Sequence, residues 1–86
     1  MSQAGHAHLI GIGGAGMRAL AELLIGSGWT ISGSDVAPMQ SLAPFSPRIR
    51  TLQGHSADFV PADADMVIHT LAVEEDNPER QRAAAL

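Results

Sequence analysis

The sequence predicts an α/β domain: a parallel sheet of four or five strands with helices flanking it. Three observations carry that expectation. Short apolar runs alternate with helical patterns, the signature of βαβ units. The first apolar run ends in a glycine-rich loop that opens directly into a strongly periodic helix. A length of 86 residues leaves room for one domain.

Residues 6–12 read as the first strand, with Leu9 and Ile10 at its apolar end and both faces buried, as a central parallel strand requires. Met17, Leu20, Ala21, Leu24 and Ile25 then repeat at helical spacing and form one apolar stripe. Arg18 and Glu22 stand on the other side at i, i+4. Gly26 and Gly28 end this helix, with Gly28 suited to a left-handed cap. Residues 29–33 read as the second strand, closed by Ser34 and Asp35. A short helix is expected over residues 39–45, with Pro38 in its first turn and Pro44 and Pro47 beyond it. Residues 49–53 read as the third strand, turned by Gly54; residues 57–60 as one helical turn stopped by Pro61; residues 66–70 as the fourth strand. Asn77 and Pro78 open a final helix as cap and first residue.

Composition excludes several chemistries. With no cysteine there is no disulfide framework, thiolate zinc site or cysteine nucleophile. The net charge is −4, and all five basic residues are arginine. An acidic chain without a basic stripe does not fit nucleic acid. The lack of lysine removes the cation that a phosphate-loop ATPase places on the β/γ-phosphates, and the amine of a Schiff-base enzyme. No apolar run suits a membrane span, and residues 1–8 do not read as a signal peptide, so the cytoplasm is the expected compartment.

Gly11, Gly13 and Gly16 have the G-x-G-x-x-G spacing of a dinucleotide-type fingerprint, which makes the expected fold Rossmann-like. Gly11 suits the tight turn out of the strand, Gly13 a close backbone approach to phosphates, and Gly16 close packing of helix on sheet. The helix that follows offers N–H groups and the positive end of its dipole to an anion. Asp35 ends the next strand 19 residues after Gly16, where the fingerprint carries an acidic residue. The same residues also suit a ligand-free turn, with Asp35 as a turn former. Spacing alone admits NAD, FAD, a nucleotide sugar or a bare nucleotide.

The residues themselves carry a narrower resemblance. The run 8–17, His-Leu-Ile-Gly-Ile-Gly-Gly-Ala-Gly-Met, resembles the opening of the Mur ligase family, in its UDP-N-acetylmuramate–L-alanine ligase branch. The similarity continues through Ser32-Gly33-Ser34-Asp35, Gly54-His55 and Asp76-Asn77-Pro78-Glu79, in the family's order. This resemblance implies that residues 1–86 form a single first domain, which binds the UDP part of UDP-N-acetylmuramate. Gly11, Gly13, Gly14, Ala15, Gly16 and Met17 match the family's diphosphate loop. Ser34, Asp35, His55 and Thr70 match positions near the uridine, while Leu71 departs from a small polar residue. ATP and Mg²⁺ then belong to a central domain absent from this chain, and the remaining ligase domains are its partners. No catalytic residue and no metal ligand is expected here, and the chain by itself is expected to be inactive as a ligase. The alternative is an NAD(H)-binding domain of a dehydrogenase, or a ligand-sensing regulatory domain. Gly14, Met17 and the two later motifs argue against it.

Among the remaining residues, His6 and His8 share a strand face but form only two of the ligands a metal needs. His69, inside an apolar strand, is expected to be a core histidine. Glu74, Glu75 and Asp76 read as a solvated loop before a helix. Arg80 and Arg82 are expected to face solvent.

Overall fold

The computed structural model describes residues 5–36, 49–70 and 73–86. Strands β1 (His6–Ile10), β2 (Thr30–Asp35), β3 (Ile49–Gln53) and β4 (Met66–Ile68) form one sheet in the order β3-β2-β1-β4. All three pairings are parallel, so every strand delivers its carboxyl end to the same edge. Helix α1 (Ala15–Gly26) connects β1 to β2, a 3₁₀ turn (Ala57–Phe59) lies between β3 and β4, and α2 (Pro78–Ala85) follows β4. The expected α/β class and four parallel strands are therefore present. The helix expected over residues 39–45, and Leu71, lie outside the described residues.

Alternation along the strands sorts their side chains onto two unlike faces. Ala7, Leu9, Ile31 and Ile49 lie on one face and join Met17 and Ala21 of α1 in the core, with Ile12 from the loop. The stripe read from the sequence is the surface that α1 buries there, with Leu24 and Ile25 packed at its margin. The other face carries His6, His8, Ser32 and Ser34, of which the last three are buried. It is met by Glu79 from α2, which is fully buried.

Local chemistry accounts for the element ends. The strand expected over residues 6–12 stops at Ile10, because the N–H groups of Gly11 and Ile12 both turn to the Ser34 carbonyl, at 2.8 and 2.9 Å. Just past the end of helix α1, Gly28 adopts φ 91°, the left-handed cap expected there. Asn77 Oδ1 accepts from the N–H groups of Glu79 and Arg80, and Pro78 takes the first turn of α2, as the sequence indicated.

Two expectations need correction. Gly16 is exposed, and a side chain there would meet open space, so it does not serve helix–sheet packing. Gly33 serves the close approach instead: a Cβ on it would come within 2.5 Å of Ile12 Cδ1 and 2.7 Å of Ile12 Cβ. The glycine loop lays Ile12 across β2, and only a residue without a side chain fits beneath it. His69 is not a core histidine. It lies just past the end of β4, partly exposed, with Nδ1 2.9 Å from the Thr70 carbonyl.

Candidate nucleotide site and the buried network beneath it

In the order β3-β2-β1-β4, the chain leaves β1 toward β2 on one side, while β4 lies on the other. The carboxyl ends of β1 and β4 therefore flank the topological switch point, where open α/β sheets bind ligands. The glycine loop springs from the end of β1. Thr70 stands two residues past β4, on the same edge, and is exposed. Asp35 ends β2, and Gly54 N–H donates to its carbonyl at 2.7 Å, so His55 starts from that edge too. The topology thus gathers the sequence-matched segments at one end of the sheet.

Their side chains divide into two sets. The first shapes the loop. Gly11 adopts φ 82°, the left-handed region that allows the turn. Asp35 Oδ2 accepts from Gly13 N–H at 2.7 Å, and Gly14 N–H closes back onto the Gly11 carbonyl at 3.1 Å. Gly14 is the N-cap of α1, with Ala15 its first helical residue. The first N–H groups of a helix have no partner within it, so this end of α1 presents donors and a positive dipole end. Met17 is buried in the core, which leaves its backbone as the part that can face a ligand.

The second set is buried below the edge. Glu79 Oε1 accepts from Ser34 Oγ at 2.8 Å and lies 2.6 Å from His8 Nε2. Its Oε2 lies 2.6 Å from His55 Nδ1. An ionised carboxylate has no proton to give, so both histidines donate. His8 Nδ1 lies 2.8 Å from Ser32 Oγ, which lies 3.0 Å from His6 Nε2. Burial by itself raises the Glu79 carboxyl, but hydrogen bonds from His8, Ser34 and His55 outweigh it and hold the group below its ordinary range. Among the described residues, no buried side-chain nitrogen or oxygen lacks a partner.

Glu79 is the central residue that reading by motif did not single out as functional. The signal was present in its place beside a strong helix cap, but capping explains Asn77 and Pro78 without assigning their neighbour. Ser34, read as a uridine contact, is fully buried with its hydroxyl spent on Glu79. His6 and His8 converge on Ser32, and no group of three metal-ligating side chains forms among the described residues. Arg80 does not simply face solvent: its Nη1 donates to the Val73 carbonyl at 2.9 Å. Glu74, Glu75 and Asp76 are exposed, as expected. A cavity of about 510 Å³ opens on the polar face beside His6, Ser32, Arg50 and Phe59. No described helix is long and apolar enough to cross a membrane.

Comparison with known proteins agrees with this architecture. Residues 6–86 match the model of the Mur ligase family, catalytic domain. The chain is 43% identical over 82 residues to the UDP-N-acetylmuramate–L-alanine ligase of Acetivibrio thermocellus, covering 94% of this chain and 17% of that protein. It is 46% identical over 77 residues to the enzyme of the same name from Thiobacillus denitrificans, covering 86% and 16%. The crystal structure of UDP-N-acetylmuramate–alanine ligase MurC from Thermotoga maritima superposes with a TM-score of 0.77 at 36% identity, over 93% of this chain and 19% of that one. The chain thus spans less than a fifth of the relatives it matches. With a parallel sheet, a glycine loop at its switch point and a family match across nearly its whole length, the chain belongs to the Mur ligase family.

Proposed function

We propose that this domain holds the UDP moiety of UDP-N-acetylmuramate, as the first domain of an ATP-dependent ligase that adds L-alanine in peptidoglycan synthesis. The carrying observation is the glycine loop at the switch point, opening into the amino end of α1, in a chain whose relatives bear that ligase name. Gly11, Gly13, Gly14, Ala15, Gly16 and Met17 offer backbone to the diphosphate. To the uridine we assign Asp35 and His55, at the neighbouring strand ends, and Thr70, beyond β4 on the same edge of the sheet.

The chain has no lysine to set on a transferring phosphoryl group. We therefore assign ATP, Mg²⁺ and activation of the muramoyl carboxylate to another domain. The role left to this one is orientation: fixing the UDP end converts the distant carboxylate's encounter into a positioned one.

The test is calorimetric titration of the purified chain with UDP, UDP-N-acetylmuramate, NADH and ATP. The two uridine ligands are expected to bind, and NADH and ATP not to bind comparably. Equal or tighter binding of NADH would sink the reading in favour of a dehydrogenase-type domain. Gly13→Val, which puts a branched side chain where the backbone meets phosphate, is expected to abolish UDP binding with the far-UV circular dichroism retained. Unchanged affinity would make the loop a turn and nothing more.

A further inference from the structure

Glu79 is buried and hydrogen-bonded by three side chains that favour its ionised form, yet the proposed function gives it no part. Taking a carboxylate out of water is costly even when it is hydrogen-bonded, and apolar side chains of similar volume often stabilise a fold as well. Two of its partners, His8 and Ser34, are fully buried. The third differs: His55 keeps a side-chain exposure of 22%. Its Nδ1 is engaged with Glu79 Oε2 at 2.6 Å and lies 3.1 Å from Ser34 Oγ. Its Nε2 makes no hydrogen bond among the described residues. With Nδ1 turned into the buried network, Nε2 is the ring nitrogen left to meet a ligand.

Which proton His55 carries is therefore decided from below. A carboxylate accepts only, so Nδ1 must hold the hydrogen, and in the neutral ring Nε2 is a lone pair. The ring follows Gly54, which is tied to the Asp35 carbonyl, and the Asp35 carboxylate in turn holds Gly13 of the loop. The lone pair is thus carried on the same strand ends as the glycine loop.

We propose that Glu79 is a positioning residue of the nucleotide site: it fixes the Nδ1–H tautomer of His55 and presents Nε2 as a hydrogen-bond acceptor, so that the site selects a base offering an N–H donor, the imide of a uracil. The inference rests on the reading of this domain as a uridine diphosphate site. Cytosine carries a lone pair at the ring position where uracil carries its imide hydrogen, and two lone pairs facing each other leave both unsatisfied. The diphosphate and ribose are common to both nucleotides, so discrimination isolates the base contact.

The experiment compares UDP with CDP by calorimetry on the purified chain. UDP is expected to bind about tenfold tighter, the worth of one such hydrogen bond. His55→Phe should erase most of that preference while CDP affinity stays within a few-fold. Glu79→Gln, whose amide can turn an N–H toward Nδ1, should lower the preference without touching the loop. Imidazole ¹⁵N shifts should place the proton of His55 on Nδ1 in the unaltered chain. They decide the matter even where Glu79→Gln does not fold, since a proton on Nε2 overturns the proposal. Equal binding of UDP and CDP, or a preference that survives His55→Phe, also overturns it while leaving the UDP site intact. Absence of any UDP binding removes the nucleotide reading itself, and this proposal with it.

Discussion

The two faces of the sheet are built from the same strands by opposite means. On one, Ala7, Leu9, Ile31 and Ile49 pack against α1, and stability comes from apolar area removed from water. On the other, alternate residues of those strands are His8, Ser32 and Ser34 beside Ile10, and Glu79 of α2 meets them as a hydrogen-bonded carboxylate. The apolar face tolerates exchange of one aliphatic side chain for another at modest cost. The polar face has no such latitude, because each donor there depends on one acceptor.

The largest effect that would test this contrast is Glu79→Ala. Removing the shared acceptor strands donors from His8, Ser34 and His55, and should cost about 3–5 kcal/mol in urea unfolding. A gauge on the other face is Ile31→Val, expected to cost about 0.5–1.5 kcal/mol. If Glu79→Ala costs no more than that gauge, the network contributes nothing net and the contrast between faces fails.

Next in size is the join between the loop and the apolar face. Gly33→Ala drives a methyl group into Ile12, whose nearest atoms stand 2.5 and 2.7 Å from the added carbon. An overpacking cost of about 1–3 kcal/mol is expected. Gly16→Ala, in open space, should cost nothing and can stabilise the helix, since alanine is the better helix former. Equal costs for the two would mean that the loop does not lie against β2 as described.

Acid separates the faces directly. The Glu79 carboxyl is held below its ordinary value of 4.5. A carboxylate favoured in the folded state contributes fully at neutral pH, and its share is lost as pH falls below that value through the depressed one. Acid unfolding followed by circular dichroism should show this loss in the unaltered chain, and a flatter acid limb in Glu79→Gln. Ile31→Val should lower the whole curve without changing its shape. An identical acid limb in Glu79→Gln would show that the carboxylate is not preferentially ionised when folded.

The smallest effect is at the cap that delivers Glu79. Asn77→Ala removes the acceptor of two N–H groups and should cost about 1 kcal/mol. If α2 owed its place only to packing, the loss would fall within a few tenths.

How legible each part was follows from how local its cause is. The stripe of α1, the left-handed cap at Gly28, and the Asn77–Pro78 start of α2 were all readable, because each depends on residues within a turn or two. The glycine loop was readable for the same reason. Gly11 takes the turn conformation expected of it, but the packing role expected of Gly16 falls to Gly33 in β2, since close approach depends on what the folded chain lays across the position. His69 was misplaced by analogy with its apolar neighbours, but a strand that ends at Ile68 leaves it at the rim.

By itself the sequence determined the class of fold, the order of its elements, the phosphate-type loop and the family, because periodicity, turn chemistry and motif residues are local and survive without coordinates. Only the tertiary structure decided that His8, Ser34 and His55, from three separate segments, meet on Glu79, 71 residues from His8 along the chain. Alternation places His8 and Ser34 on one face, but it does not say which element will cover that face. That choice is made when β4 pairs beside β1 and sends α2 across the polar side of the sheet. There, burying the donors without an acceptor would take a large share of the stability a small domain has.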